Sequence, residues 1–186
     1  MPVPLPKKKK GERSNLASLC ITLMASKMRF SEQLEARFEK FLARYPVRRS
    51  ALVPMLLYAQ DEVGHLSPEV IAEIAGRLGL AVLQVEEVIG YYSMLRKKPA
   101  GRYHIQVCTN ISCMLRGGYP LWEHAQKKLG LKHKETAADG LFSLEEVECI
   151  GACAWAPALQ VNYDFYHEVT AEKFDALLEN LRNHSR

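Results

Sequence analysis

Four of the chain's five cysteines fall in two tight pairs in its C-terminal half, and no other feature restricts so strongly what the chain can fold into. Cys108-Thr-Asn-Ile-Ser-Cys113 places four residues between thiols, Cys149-Ile-Gly-Ala-Cys153 places three, and 35 residues, 114 to 148, separate the pairs. Each pair follows a stretch that reads as strand, so the chain leaves a sheet twice and each time loops around something with two thiols. Cys20 stands apart in a basic N-terminal stretch. An odd count does not suit a secreted disulfide framework, whereas paired thiols point to metal ligation in a reducing compartment.

A [2Fe-2S] cluster needs four thiolates, two per iron. The small residues Thr109, Ser112, Gly151 and Ala152 let backbone N–H groups turn toward sulfur, and such hydrogen bonds tune the reduction potential. A structural zinc ion also accepts four cysteines, usually with two to four residues between paired ligands, so spacing alone leaves both readings open. Disulfides Cys108–Cys113 and Cys149–Cys153 are geometrically feasible but serve little purpose in a reducing compartment. A thioredoxin-type redox catalyst needs a Cys-x-x-Cys pair, and none occurs.

Hydrophobic residues make up 48% of the 186, enough for a real core. The net charge of +4 is uneven: residues 1–29 carry +6 and the remainder −2. A nucleic-acid reading would rest on the tail alone and is discounted. No apolar run approaches the roughly 20 residues of a membrane span, so direct membrane insertion is not expected. The stretch Leu16–Ala25 is diluted by Ser18 and Thr22, and Ala25-Ser26-Lys27 is a poor cleavage site. Residues 1–29 therefore read as a basic, disordered extension, with Met24 and Met28 as candidate starts.

Residues 30–98 read as a helical bundle. Leu34, Phe38, Phe41, Leu42 and Tyr45 share one face, and Pro46 ends that helix. Ser50 is the expected cap of a second helix running to about Val63, with Gly64 behind it. Ser67-Pro68 caps a third, with Ile71, Ile74, Ala75 and Leu78 inward and Gly79 as its stop. A fourth runs from near Leu83 to about Leu95, and Lys97–Gly101 reads as a hinge. Residues 101–186 mix strands and helices. Tyr103, Ile105 and Val107 alternate as in a half-buried strand. Leu121, Trp122, Ala125 and Leu129 mark a helix, and a strand near 131–136 is weakly signalled. Phe142–Cys149 and Ala158–Val161 are further strands, with Asn162-Tyr163-Asp164 as a turn. Thr170 caps a last helix bearing Phe174, Leu177, Leu178 and Leu181. The order β–α–β–β–β–α, after a bundle, gives an α+β chain close to a thioredoxin-like layout.

The segments Tyr103–Cys113 and Glu146–Cys153, with Ala156-Pro157 behind, closely resemble the E-type subunits of bacterial respiratory NADH:quinone oxidoreductases (complex I). The likeness extends to Tyr45–Ala51, to Gly64-His-Leu-Ser-Pro68 and to Tyr92-Ser-Met94, and covers about residues 31–182. It implies an N-terminal helical bundle followed by a thioredoxin-like [2Fe-2S] ferredoxin domain over 101–186. It implies one [2Fe-2S] cluster on Cys108, Cys113, Cys149 and Cys153. It also implies docking to a partner subunit that holds FMN and takes hydride from NADH, beside a neighbouring Fe-S subunit, at the cytoplasmic side of a membrane-bound complex. The chain has no G-x-G-x-x-G and no P-loop, so neither NADH nor FMN is assigned to it. No catalytic residue is expected, and His65, His104, His124, His133, His167 and His184 need no catalytic role.

Three departures stand out: the tail, Gly90-Tyr91-Tyr92, and the bulky Trp155. Trp155 would shield the cluster, anchor an interface or pack in the core. The same module occurs in the diaphorase parts of NAD-reducing hydrogenases and formate dehydrogenases, which is the alternative assignment. A zinc-stabilised binding module whose helices contact nucleic acid through Arg48-Arg49 is the remaining class, weakened by the lack of a basic stripe.

Overall fold

The structure is a computed structural model that describes residues 29–184. The expectations for residues 1–28, including Cys20 and the starts at Met24 and Met28, lie outside the described residues.

Four helices come first: α1 (Glu32–Arg44), α2 (Leu52–Val63), α3 (Pro68–Leu78) and α4 (Val82–Tyr91). Ser31 caps α1 by accepting from Leu34 N–H, and Ser67 caps α3 by accepting from Val70 N–H, with Pro68 at its first turn. Phe38, Met55, Leu56, Ile71, Ile74 and Val85 meet in one apolar core. Arg77 joins α1 to α3 through ion pairs with Glu35 and Glu73.

Two expectations fail here. Ser50 is not a cap: it lies in a 3₁₀ turn, Arg48–Ala51, and Ala51 precedes α2 with no side-chain hydrogen bond. The fourth helix ends at Tyr91 rather than Leu95. The reason is tertiary. Buried Gln60 donates to the Met94 carbonyl at 3.0 Å and accepts the Arg96 N–H at 2.6 Å. Leu66 N–H adds a bond to the Arg96 carbonyl. The segment after Tyr91 thus finds partners on α2 and beyond, and these replace the helical ones. The expected hinge at Lys97–Gly101 is irregular chain tied at both ends, with Thr136 Oγ1 donating to Pro99 O and Arg102 N–H to Gly140 O.

The second part contains β1 (Tyr103–Cys108), α5 (Ile111–Leu115), α6 (Gly118–Leu129), β2 (Glu135–Thr136), β3 (Phe142–Val147), β4 (Leu159–Val161), β5 (Asp164–Tyr166) and α7 (Ala171–Asn183). The sheet order is β2-β3-β1-β4-β5. β1 and β3 are parallel, from Tyr103↔Phe142 to Cys108↔Val147, and the other pairings are antiparallel. One face packs Ile105, Val107, Phe142, Leu144, Leu159 and Val161 against Leu121, Trp122 and Ala125 of α6 and Phe174 and Leu178 of α7. Thr170 caps α7 as expected. The opposite face carries the pairs His104↔Ser143, Gln106↔Glu145 and Cys108↔Val147.

The layout differs from the expected one by two small elements. The turn is narrower than Asn162-Tyr163-Asp164, since Asp164 already pairs with Val161 and begins β5. Asn162, at φ 54°, supplies the left-handed residue of this hairpin. The short helix α5 carries Cys113 where a loop was expected, and Asn110 caps it by accepting from Ile111 N–H at 2.8 Å. Ser143 sits in β3, in line with the strand reading of Phe142–Cys149, although the strand ends at Val147.

α6 starts hard against the end of β1. A Cβ on Gly118 would stand 2.9 Å from the carbonyl oxygens of both Cys108 and Cys113. Gly118→Ala should therefore cost about 1–3 kcal/mol by overpacking, read as a lowered urea midpoint. Gln60→Leu should cost about 1–3 kcal/mol for each backbone group it leaves unpaired. An unchanged midpoint would mean that Gln60 is not what holds residues 94–96.

Candidate metal centre

Parallel pairing decides where the cysteines go. β1 ends at Cys108 and β3 ends at Val147, side by side, so both loops leave the same end of the sheet. β4 starts from that end: Cys108 N–H donates to Ala158 O, just before β4. The Cys108 thiol reaches the Glu148 carbonyl at 3.9 Å, next to Cys149. Helix α5, which carries Cys113, packs against the 3₁₀ turn Cys153–Trp155. Cys108, Cys113, Ala152, Ala156 and Ala158 form one apolar cluster, with Val147 and Ile150 against it. The two loops, 35 residues apart in sequence, meet.

The two pairs differ in setting. Cys108 and Cys113 are buried, Cys149 and Cys153 are exposed, and all four are free thiols. Burial pushes the Cys113 thiol up to about 11, with a smaller upward push from neighbouring Cys108 and Cys153 against a backbone hydrogen bond at Ala158. Among the described residues, no three Cys, His, Asp or Glu side chains form a group that could hold a single metal ion. Cys108 and Cys113 are thus the inner candidate ligands and Cys149 and Cys153 the outer ones.

The loops also present backbone donors. Gly151 N–H points at Cys149 Sγ at 3.4 Å, and Gly151 holds φ 79°, a conformation glycine adopts without strain. Thr109 closes the first loop onto β3: its N–H donates to Val147 O at 3.1 Å and its hydroxyl to Glu146 at 2.9 Å. Four reduced thiols on two meeting loops, with an N–H already aimed at sulfur, fit a thiolate-ligated cluster.

Trp155 is not core: it is 54% exposed and stacks on His167, ring centroids 5.1 Å apart. Core packing drops out of its three expected roles. Exposed Ile111 and Leu115 lie on α5, the helix against the same turn. Sequence reading missed two further residues. Gly118 fixes how closely α6 approaches the first loop; the Gly117-Gly118 doublet was its only signal. Glu145, on a strand where a charged residue suggests solvent, is buried beside His104.

The profile of the thioredoxin-like [2Fe-2S] ferredoxin family matches residues 38–182. A Rhizobium meliloti protein, named as a second E-type subunit of NADH-quinone oxidoreductase, is 44% identical over 155 residues, covering 83% of this chain and 90% of that protein. The corresponding E-type NADH-quinone oxidoreductase subunit of Mycobacterium bovis is 38% identical over 151 residues, which are 81% of this chain but only 60% of that one. A chain of an air-oxidized NAD+-reducing [NiFe]-hydrogenase superposes with a TM-score of 0.63 at 21% identity, over 72% of this chain and 23% of its own length. That likeness speaks for the fold alone. Two cysteine-bearing loops at one end of this sheet and the profile match over most of the chain agree: the chain belongs to the thioredoxin-like [2Fe-2S] ferredoxin family.

Proposed function

We propose that this chain holds one [2Fe-2S] cluster on Cys108, Cys113, Cys149 and Cys153. In this reading it is an electron-transfer subunit of the NADH-oxidising part of a respiratory NADH:quinone oxidoreductase. The observation that carries the proposal is the parallel β1–β3 pair, which delivers both cysteine loops to one end of the sheet. When bound, such a cluster takes up and returns one electron at a time. The chain's own residues do the rest. The two loops hold the thiolates, the Gly151 N–H stabilises charge on Cys149, and the alanine cluster around Cys108 and Cys113 keeps water from the inner side.

The electrons come from FMN on a partner subunit that oxidises NADH, with a neighbouring Fe-S subunit in the same assembly. The names of the relatives support this reading over the equivalent subunit of a hydrogenase or formate dehydrogenase, since the hydrogenase likeness concerns fold only. No helix among the described residues is long and apolar enough to cross a membrane. In this reading the chain works at the cytoplasmic side of a membrane-bound complex, beside its NADH-oxidising partner. The exposed Trp155, two residues past Cys153, suits an anchor at the partner interface, with Leu115 (75% exposed) on the adjoining helix.

Anaerobically purified protein should contain iron and acid-labile sulfide in a one-to-one ratio and show a reduced-state EPR signal. Cys149→Ala should abolish that signal and Cys20→Ala should leave it unchanged; loss of the cluster in the Cys20 variant would overturn the ligand assignment. Trp155→Ala should keep the signal but weaken association with the flavin subunit by about 2 kcal/mol, roughly 30-fold in Kd. Unaltered affinity would remove Trp155 from the interface.

A further inference from the structure

The sheet face opposite the helices carries a buried polar ladder that the proposed function does not use. His104 Nδ1 lies 2.8 Å from Ser143 Oγ, and its Nε2 lies 3.0 Å from Glu145 Oε2. Gln106 Nε2 donates to the same carboxylate oxygen at 3.1 Å. The Glu145 side chain is only 5% exposed, and besides His104 it is ion-paired with Lys134, 3.6 Å away and 58% exposed. Burial alone would push the Glu145 carboxyl up; the hydrogen bonds from His104 and Gln106 and the charges of His104 and Lys134 outweigh it and hold it below the ordinary carboxylate range. Arg96, Lys97 and Lys98 of the linker line the same cavity of about 370 Å³. Lys97 is paired with Glu86.

The ladder points at the cysteines. Glu145 pairs with Gln106, one same-face step before the Cys108↔Val147 pair. Two residues of strand span roughly 7 Å, so the Glu145 backbone stands one such step from an inner ligand, with its buried, ionised carboxylate turned back toward His104. Charges in such surroundings act over longer range than charges in water.

We propose that Glu145 is a potential-setting residue: its fixed negative charge opposes arrival of an electron on a cluster held at Cys108, and so lowers the reduction potential. This rests on the cluster reading above. The step is the uptake of one electron from the partner's flavin; no bond in this chain forms or breaks. Lys134, which partly offsets Glu145, acts in the opposite sense and more weakly, because solvent and salt screen it. His104, by donating Nε2–H to Glu145 and meeting the Ser143 hydroxyl through Nδ1, positions the carboxylate rather than contacting the cluster.

The test is a redox titration of the purified full chain, followed by EPR and visible absorbance. Glu145→Gln keeps the shape and the hydrogen-bond acceptor but removes the charge, and should raise the midpoint potential with the EPR line shape retained. Lys134→Gln should lower it by a smaller amount that shrinks with added salt. Ser143→Ala, a neutral change on the same ladder, should leave it in place. An unchanged or lowered potential in Glu145→Gln, with a normal spectrum, overturns the proposal and leaves the cluster assignment standing. So does a rise of equal size in Ser143→Ala, which would assign the shift to packing. If Glu145→Gln fails to fold, a higher potential in Lys134→Gln overturns it instead. Wild-type protein without iron and sulfide overturns both readings together.

Discussion

The pairing of β1 with β3 in parallel register is the constraint on which the site depends. Antiparallel pairing would send the two loops to opposite ends of the sheet and the cysteine pairs apart. Parallel pairing requires a crossover, and α5, α6 and β2 provide it. The separation of the two pairs in sequence is therefore the length of a crossover and not slack chain. β4 then returns antiparallel on the other side of β1. β1 becomes the central strand, and Cys108 at its end lies between neighbours on both sides.

The two faces of that sheet do different work. One is apolar and packs α6 and α7, supplying most of the burial that holds this half together. The other turns toward the linker and carries polar groups, of which His104, Ser143 and Glu145 are buried. That explains why β3 is buried at four successive positions, Phe142 to Glu145, rather than at alternate ones. Ser143 and Glu145 are covered from the second side, and each has hydrogen-bond partners there, as buried polar groups must.

Much of this was legible in the amino-acid order, where a local rule carries the information. Ser67-Pro68 starts a helix, Gly79 and Gly130 end helices, and the alternation of Tyr103, Ile105 and Val107 marks a strand, because caps, stops and pleats act within a few residues. The family resemblance followed from the cysteine segments, and the α+β class from the order of the helical and strand patterns. What stayed hidden was set by distant partners. The early end of α4 depends on Gln60, some 34 residues back. The burial of Glu145 depends on His104, 41 residues away. The strand β5 exists because three residues find Leu159–Val161 to pair with, and nothing in Asp164-Phe165-Tyr166 alone announces it.

The uneven burial of the four thiols sorts them by access to reagents. An alkylating agent or peroxide in solution meets the loop of Cys149 and Cys153 before the enclosed side of Cys108 and Cys113. Cys113 is doubly shielded, since its raised thiol pKa leaves little nucleophilic thiolate at neutral pH. Oxidative injury thus falls first on one loop, while the other is sheltered by its own packing.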